Sequence, residues 1–387
     1  MTVTMSRRLS LSLLTVLAAV ALGCPAAKRP QAKRHPLGIT VALVRSDLGL
    51  GDGCFVREAD VVLADLAKHG VLSYAPVGEL PQAQELEAGG NDVGMPDPLK
   101  KQPGSMTISQ AETLLDGVKP CDMLVITSPL LLSPALERIG EGQLSAKAVL
   151  LLDDEGLGQV PKRNPVPVYY VSYQIKDVAF LCGVAAAASS PNAMFVVLGN
   201  SADPHAQEFL SAAKAGAKYY SNGAQTFTAV VQADKDGMVT PRAFEQAHLA
   251  LLKRAGPYFT CNHYILALGR ATPSVMLAIS KKPINGYVTG GYADYRSVRP
   301  SRILGGALKH PGAALQYILG SPSLRGGLSG LAELAPQGVI TLGLKENAVG
   351  YAGLDLYSRY NPDGDDIAKA VSDTLGQIRT GELPATY

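Results

Sequence analysis

The sequence predicts an α/β fold of two similar lobes, each built on a parallel sheet. Short apolar strands alternate with amphipathic helical patterns, which is typical of parallel α/β proteins. The alternation starts again near the middle of the chain, and each half places a polar loop directly after its first strand. With 387 residues, 47% of them hydrophobic, the chain is long enough for two domains.

The first half opens with a strand at 38–46, a loop rich in Gly and Asp, and a helix at 55–70 that Gly70 ends. Later elements of this half are strands and one helix with compact apolar patterns. They are the strand at 121–129, the helix at 132–140 and the strands at 147–154 and 165–173. Residues 81–104, rich in Pro, Gly and acidic residues, are predicted to be a loop or an insertion.

The second half repeats this order. A helix at 176–190 leads to a strand at 192–200, a Gly/Asn/Asp loop, and an amphipathic helix that Gly216 is expected to end. Further strands are predicted at 226–233, 258–268 and 283–291, with helices at 241–256 and 273–282. Ligands bind at the carboxyl ends of strands in open parallel sheets, so two such lobes predict a cleft that closes by a hinge motion.

The N-terminus has the pattern of an export signal. Arg7 and Arg8 precede an apolar run shorter than the ~20 residues of a spanning helix. The run ends in Ala-Leu-Gly-Cys, which resembles a bacterial lipobox with Cys24 as the acylated first residue. The alternative is an ordinary secretory signal that contains a cysteine. We expect lipid to be the anchor, because no other run reaches spanning length.

Residues 25–37 are expected to form a flexible tether between this signal and the folded part, since prolines at three positions disfavour helix and strand. The tether contains four basic residues that suit an anionic lipid surface, although a merely soluble linker has the same composition. The formal net charge of +2 and the absence of basic blocks with interleaved aromatics argue against nucleic acid as a partner.

Patterns for metal sites and catalysis are weak. The cysteines have no CxxC pair, the histidines lack metal-ligand spacing, and Cys121 and Cys182 look like core thiols. The glycines at 49–53 follow GxGxG and no Lys-Ser/Thr comes after them, so they indicate a sharp backbone turn rather than a phosphate loop. We therefore expect no cofactor, no metal and no enzymatic activity.

Four stretches, in order, resemble the basic membrane protein family of ABC-transporter substrate-binding lipoproteins. They are DLGLGDGCFVRE (47–58), KDVAFLCGVAAA (176–187), GGYADYRSVRPSRILGGALKHPGAAL (290–315) and GVITLGLKENAVGYA (338–352). The resemblance implies a type I periplasmic binding protein fold, two Rossmann-like lobes joined by crossover strands. Several family members bind purine nucleosides, so a nucleoside or similar small polar solute is the implied ligand.

The resemblance also implies site residues. Phe55 occupies the position of an aromatic that stacks on the ligand's base, with Asp47 and Asp52 in the same loop. Asp294 and Lys309 match a family aspartate and the lysine that follows it. The loop from Gly199 to Pro204 adds candidates in the second half, and Ser128 ends a strand on the cleft side. The candidate ligand-binding residues are Asp47, Asp52, Phe55, Ser128, Asn200, Ser201, Asp203, Tyr292, Asp294 and Lys309.

Departures from the family and structural alternatives remain open. Val56 and Arg57 replace an Asn-Gln pair, and Tyr292 stands where the family has an aspartate. The Asp, Asn and Ser candidates also suit helix caps and turns, and Phe55 also suits a core position. Asp153 and Asp154 form a carboxylate pair at a strand end, fit for acid–base work or simple solvation.

The sequence thus predicts a lipid-anchored, extracytoplasmic solute-binding protein that works with ABC permease subunits. The expected organisation is a signal at 1–24, a tether at 25–37, lobe 1 at 38–170 with about 307–330, and lobe 2 at 171–306 with about 331–387. A ligand-sensing regulatory lipoprotein of the same fold is the alternative, and a nucleoside-metabolising enzyme is a third hypothesis.

Overall fold

Apolar runs form twelve strands among the residues described by the computed structural model. The described residues are 36–46, 54–80, 106–154, 164–190, 194–234, 237–256, 261–272, 275, 279, 287–296 and 301–383. In chain order the strands are β1 (Thr40–Val44), β2 (Ser73–Val77), β3 (Cys121–Ile126), β4 (Ala146–Leu151), β5 (Val168–Tyr173), β6 (Met194–Asn200), β7 (Gln225–Val231), β8 (Cys261–Ala267), β9 (Tyr287–Tyr292), β10 (Ile303–Lys309), β11 (Val339–Leu342) and β12 (Val349–Ala352).

The strands form two six-stranded sheets. The first has the order β11-β5-β4-β3-β1-β2, and all its pairings are parallel. The second has the order β12-β10-β9-β8-β6-β7, and only the β10–β12 pairing is antiparallel. Strands such as β1 and β6 are almost wholly buried, as expected for parallel sheets with helices on both faces. We call the parts built on the two sheets lobe 1 and lobe 2.

Helices connect the strands. They are α1 (Cys54–Lys68), α2 (Ile108–Leu114), α3 (Leu132–Gly140), α4 (Lys176–Ser189), α5 (Ala206–Tyr220), α6 (Pro241–Ala255), α7 (Pro311–Leu319), α8 (Gly330–Leu334), α9 (Asp355–Ser358) and α10 (Gly364–Thr380). Helix α4 packs on α5 and β10 in lobe 2, whereas α7 packs on α1 in lobe 1. None of the described helices combines the length and apolar composition that crossing a bilayer requires.

The chain passes between the lobes in three crossovers, which lie between β5 and α4, β10 and α7, and β11 and β12. Backbone hydrogen bonds hold these segments together. Gln174 N donates to Leu342 O at 2.8 Å, and His310 N donates to Ala348 O at 2.7 Å. One cluster of buried apolar side chains extends from lobe 1 into lobe 2, and a second lies between the first sheet and α2 and α3.

The predicted alternation of strands and helices is confirmed, with α3 at the predicted bounds. The prediction that Gly216 ends a helix is wrong, since α5 continues to Tyr220. Strands β2, β11 and β12 were not predicted; β2 is an edge strand, where its Pro76 is tolerated. The loop predicted at 81–104 lies outside the described residues, and so does most of the helix predicted at 273–282.

Three cysteines are buried free thiols, namely Cys121, Cys182 and Cys261. Burial raises the pKa of the Cys121 thiol to about 11 and that of the Cys182 thiol to about 12. Cys121 and Cys182 are therefore core thiols, as the apolar runs around them predicted.

Glycines bring α4 and α5 into backbone contact. A Cβ atom added at Gly183 would lie 1.9 Å from Ala213 O, and one added at Gly216 would lie 2.0 Å from Phe180 O. Glycine costs helix stability relative to alanine. Here it permits a close helix crossing, which explains why α5 tolerates Gly216 in its interior.

We expect Gly183→Ala to lower the melting temperature (Tm) strongly, because the new methyl group overlaps a backbone oxygen; the cost should be about 1–3 kcal/mol or more. Gly376→Ala in α10 is the control, since a Cβ there meets no atom within 4 Å. Its gain in helix propensity should raise stability by about 0.5–1 kcal/mol. Equal Tm values for the two variants, measured by circular dichroism, would contradict this account of the α4–α5 contact.

Candidate functional site

Carboxylates of lobe 1 meet cationic side chains of lobe 2 where the lobes face each other. Asp153 and Asp154 follow β4, His205 directly precedes α5, and Lys309 is the last residue of β10. Lys309 Nζ lies 2.8 Å from Asp153 Oδ1, and His205 Nε2 lies 2.9 Å from Asp154 Oδ2. We name the residues that meet here the interlobe cluster: Asp153, Asp154, Ser172, Tyr173, Asp203, His205, Tyr292 and Lys309.

Lys309 is fully buried, and so is its partner Asp153. Its ammonium group also lies over two aromatic rings, 4.3 Å from the ring centroid of Tyr292 and 5.4 Å from that of Tyr173. An unpaired buried charge is strongly unfavourable, so the carboxylate and the two ring faces together replace the water that the ammonium group has lost. Tyr173 and Asp153 belong to lobe 1 and Tyr292 to lobe 2, so this charge needs both lobes.

Tyr292 has a backbone φ of 82°, which side-chain-bearing residues rarely adopt. Such strain costs about 1–3 kcal/mol and persists only where other contacts fix it. The phenol is fully buried and donates a hydrogen bond to Asp203 Oδ2, and the ring packs edge-on against Phe209 with centroids 5.8 Å apart. These contacts hold the ring under Lys309.

His205 is the second link between the lobes. Besides Asp154, its Nε2 lies 3.1 Å from Ser172 Oγ, while Nδ1 lies 3.7 Å from Glu208 Oε2. The hydrogen bond to Asp154 raises the pKa of His205 against the effect of burial. Burial acts to raise the pKa of Asp154, but the hydrogen bond from His205 and the charge of Lys309 outweigh it and lower that pKa. The pair is therefore an imidazolium–carboxylate contact at mildly acidic pH.

Ser172, His205 and Asp154 are the residue types of a hydrolytic triad, but their geometry differs from one. In a triad the carboxylate binds Nδ1 and leaves Nε2 to take the serine proton. Here the serine and the aspartate both approach Nε2. The aspartate thus holds a proton on the nitrogen that would have to act as the base.

The loop after β6 brings Asn200, Ser201 and Asp203 together through hydrogen bonds within lobe 2. The Asn200 side chain donates to Gly237 O at 2.9 Å and accepts from Ala202 N at 2.9 Å. Ser201 Oγ accepts from Ala233 N at 2.8 Å. Asp203 accepts from Tyr292 and, at 2.9 Å, from the His205 amide. These three side chains shape the loop that presents His205, and their contact with a ligand stays a prediction.

Phe55 lies at the start of α1, where 4% of its surface is exposed. Its ring meets Tyr173 edge-on with centroids 6.3 Å apart, so it borders the interlobe cluster from the core of lobe 1. Ser128 is buried, and its Oγ accepts a 3.4 Å hydrogen bond from Leu130 N at the start of a short 3-10 turn. Both residues lie at the predicted edge of the sheet, and both have structural contacts there.

Two further hydroxyl groups at this edge are buried and have no hydrogen-bond partner. They are Oγ of Ser46, which follows β1, and Oγ1 of Thr127, which follows β3. The pair was not predicted as part of a site. Strands β1 and β3 are adjacent in the sheet, so the two residues end neighbouring strands.

Asp294 makes its described side-chain contacts outside the interlobe cluster. Arg296 donates to its two carboxylate oxygens at 2.9 and 2.7 Å, and also to Gly353 O at 2.9 Å and to Asp355. Burial acts to raise the pKa of Asp294, and the Arg296 contacts outweigh it and lower the pKa. Asp294 thus helps to tie the loop after β9 to the segment before α9.

Three predicted residues lie outside the described part of the chain: Cys24, Asp47 and Asp52. Within the described part no group of three His, Cys, Asp or Glu side chains is arranged to hold a metal ion. Sequence reasoning missed Ser172, Tyr173 and His205 as site residues. It also left Asp153 and Asp154 out of the candidate set, and the alternative that this pair is simply solvated is wrong, since both are buried. The available signal was weak, namely that Ser172 and Tyr173 end a strand and that His205 follows a predicted cleft loop.

The His205–Asp154 contact should make stability depend on pH. His205 has a raised pKa, so its contribution is complete below the ordinary imidazole value of about 6.5 and is lost as pH rises through the raised value. Asp154 has a lowered pKa, so its contribution is complete above about pH 4 and is lost on further acidification. We expect His205→Gln to lower Tm near pH 6 by about 2 °C, for a contact of about 1 kcal/mol.

Near pH 9 the same substitution should change Tm little. This pH is about 2.5 units above the ordinary imidazole pKa, so His205 is largely neutral there and the ionic contact is lost. His69→Gln is the matched control, because His69 Nδ1 lies 3.3 Å from Asp65 in an exposed pair at the end of α1, with both partners in lobe 1. Its effect on Tm should be small, because the pair is exposed to solvent. A His205→Gln deficit of the same size near pH 6 and near pH 9 would exclude an imidazolium contact.

The sequence matches no protein-family model, and it matches no curated protein. Solved structures do match most of the chain. An ABC transporter system solute-binding protein from Aeropyrum pernix K1 has a TM-score of 0.50 at 14% identity, over 90% of this chain and 92% of the other. A transcriptional activator of the comK gene from Bacillus halodurans has a TM-score of 0.51 at 15% identity, over 90% of this chain and 100% of the other.

At such low identity the similarity concerns the fold alone. It agrees with two sheets of mostly parallel strands in two lobes joined by crossovers. The predicted two-lobed α/β fold of type I periplasmic binding proteins is therefore confirmed.

Proposed function

We propose that this chain binds a small polar solute between its lobes and works as the substrate-binding component of an ABC importer. The observation that carries the proposal is the pair of buried, unpartnered hydroxyls on Ser46 and Thr127. Leaving a buried polar group without a partner costs about 1–3 kcal/mol, and native proteins rarely accept this without a functional reason. A bound solute would supply the missing hydrogen bonds.

The position of these hydroxyls supports the same proposal. The first sheet contains the strand order β2-β1-β3-β4-β5, so the chain changes winding direction between β1 and β3. In doubly wound sheets ligands bind at this switch point, outside the carboxyl ends of the strands. Thr127 directly follows β3, and Ser46 is the second residue after β1. The second sheet has the equivalent order β7-β6-β8-β9-β10, with Asn200 at the end of β6.

Solute binding needs no chemical step. A ligand that touches both lobes stabilises the closed arrangement through its higher affinity for that state. The permease then recognises the closed form. The interlobe contacts of Lys309 and His205 keep the lobe surfaces in register while the solute completes the remaining hydrogen bonds.

The finer ligand assignment, a purine nucleoside or a similar compound, rests on the resemblance to basic membrane proteins. Phe55 packs edge-on against Tyr173 beside the cluster, and a base that stacked on the Phe55 ring would gain about 1–3 kcal/mol by comparison with other systems. Asp47 and Asp52 are proposed to line the same cleft from the loop before α1. Asp294 would contribute only if Arg296 released it.

A regulatory role is the second candidate. A transcriptional activator shares this fold, so the architecture also occurs in a protein with a regulatory role. A sensor would bind the same solute but transmit closure to a partner other than a permease. Copurification with permease subunits from solubilised membranes, in the presence of solute, would favour transport over sensing.

The first expected result is solute-dependent stabilisation. In a thermal-shift screen of nucleosides, sugars and amino acids, a true ligand should raise Tm with the logarithm of its concentration above Kd, and at a hundred times Kd it should add about 2.7 kcal/mol of stability. The same ligand should reduce the radius of gyration in X-ray scattering, because the lobes close. Product formation from that ligand by the pure protein would instead support the nucleoside-metabolising enzyme.

The second expected result concerns the anchor. We propose that Cys24 is acylated, which places the protein on the outer side of a bacterial membrane with its cleft in the periplasm or the medium. Cells that express the Cys24→Ser variant should lose incorporation of radiolabelled palmitate into this protein and release it into the soluble fraction. Retention of label by the variant would contradict lipidation at this residue and favour an ordinary secretory signal.

A further inference from the structure

Asp154 has one carboxylate oxygen without a hydrogen-bond partner. Oδ2 is held by His205 from the opposite lobe, whereas Oδ1 is buried and makes no hydrogen bond. The residue as a whole is 4% exposed. Because the pKa of Asp154 is lowered, the carboxyl group is ionised at physiological pH, and Oδ1 can accept hydrogen bonds but cannot donate one. Leaving an ionised carboxylate oxygen buried without a hydrogen bond destabilises the fold more than leaving a neutral group so, because the desolvation penalty of a charged group is larger.

The other charges of the interlobe cluster already have partners. Lys309 is paired with Asp153, and both are buried. Asp203 accepts hydrogen bonds from Tyr292 and from the His205 amide. The imidazole of His205 contacts Asp154 after β4, Ser172 in β5 and Glu208 in α5. The charges of Asp203, which binds the His205 amide, and of Lys309 also act on it. Each described cation of the cluster is thus opposite a carboxylate.

This distribution selects among ligands by charge. A solute that donates a hydroxyl or amino hydrogen would complete Asp154 Oδ1 with a charge-assisted hydrogen bond. The hydroxyls of Ser46 and Thr127, which come after the neighbouring strands β1 and β3, can each donate or accept, so they tolerate either polarity in the rest of the solute. An anionic solute would meet an unpaired carboxylate oxygen in a low-dielectric site, where like charges repel strongly.

We propose that Asp154 is the ligand-selecting residue of the cleft: its Oδ1 accepts a hydrogen bond from an uncharged or cationic solute and rejects the anionic analogue. The assignment rests on the proposed function of the cleft as a solute site. It adds a residue and a charge rule that the resemblance to nucleoside-binding proteins does not provide. His205 serves as the positioning residue, because it fixes the other oxygen and thereby orients Oδ1.

The test uses matched pairs of probes that differ by one anionic group: adenosine and adenosine 5′-monophosphate, D-ribose and its 5-phosphate, D-glucose and D-glucuronate. Calorimetric titration of the full chain gives Kd for each. At least one uncharged member should bind, and its anionic counterpart should bind about a hundredfold more weakly or not at all, the ratio expected for a lost charged hydrogen bond.

Asp154→Asn should raise Kd of the uncharged member about tenfold to a hundredfold. It should also reduce the ratio between the Kd values of the anionic and the uncharged member. Asp122→Asn is the matched control in the same lobe. Asp122 lies near the amino end of β3, away from the carboxyl end at which the proposed site lies. It contacts Lys147 and accepts a hydrogen bond from Thr40 N, so its substitution should leave Kd unchanged. The wild-type comparison of paired probes needs no variant and stands even if Asp154→Asn fails to fold.

The outcomes separate the two proposals. If an anionic member binds within twofold of its uncharged partner, or if Asp154→Asn retains the wild-type Kd, the charge rule is wrong and the solute-binding function stands. If no member of any pair binds, the proposed function fails, and the charge rule fails with it. Tight binding of an uncharged probe with loss in Asp154→Asn supports both.

Discussion

The pairing requirement of one buried charge governs how the two lobes meet. Lys309 ends a strand of lobe 2, at a crossover, in a position from which water is excluded. An ammonium group in such a place needs a carboxylate as its partner. In the described part of the chain Asp153 of lobe 1 accepts its hydrogen bond. The two tyrosine rings from opposite lobes complete its surroundings. The orientation that neutralises the charge of Lys309 is therefore also the one that brings the lobes together. The His205–Asp154 contact is a second interlobe pair in the same cluster.

Sheet topology explains why the unsatisfied groups lie where they do. In both sheets the winding direction reverses beside the first strand of the lobe, so the loops after the two flanking strands separate and leave a crevice. Ser46 and Thr127, which come after the two flanking strands of lobe 1, lack hydrogen-bond partners, whereas hydrogen bonds of Asn200 and Ser201 fix the first loop of lobe 2. Among the described residues, the unsatisfied hydroxyls next to a switch point therefore belong to lobe 1.

Sequence reasoning predicted the elements with strong local patterns and failed where tertiary contacts decide. The apolar runs of β1, β3, β4, β6 and β8 specify buried strands by themselves. By contrast β2 contains a proline and β11 is only four residues long, so neither has a pattern that stands out from a loop. Gly216 reads as a helix end in isolation, and only the approach of Phe180 O from α4 explains its position inside α5.

The candidate site was predictable only in part for the same reason. That polar loops follow β1 and β6 is a local feature, and the loop after β6 does lead into the cluster through Asp203 and His205. The partner of Lys309 is 156 residues away in the chain, and no spacing rule connects the two.

Tyr292 was identified through a departure from the family. A carboxylate at its position would have given Lys309 a second anionic neighbour. The tyrosine instead offers a ring face to Lys309 and a hydroxyl to Asp203, so it adds no charge. Lys309 is paired directly with Asp153, and its charge still helps to lower the pKa of Asp154. Asp154 is thereby kept ionised for its contact with His205 of the other lobe and, in our proposal, for a solute.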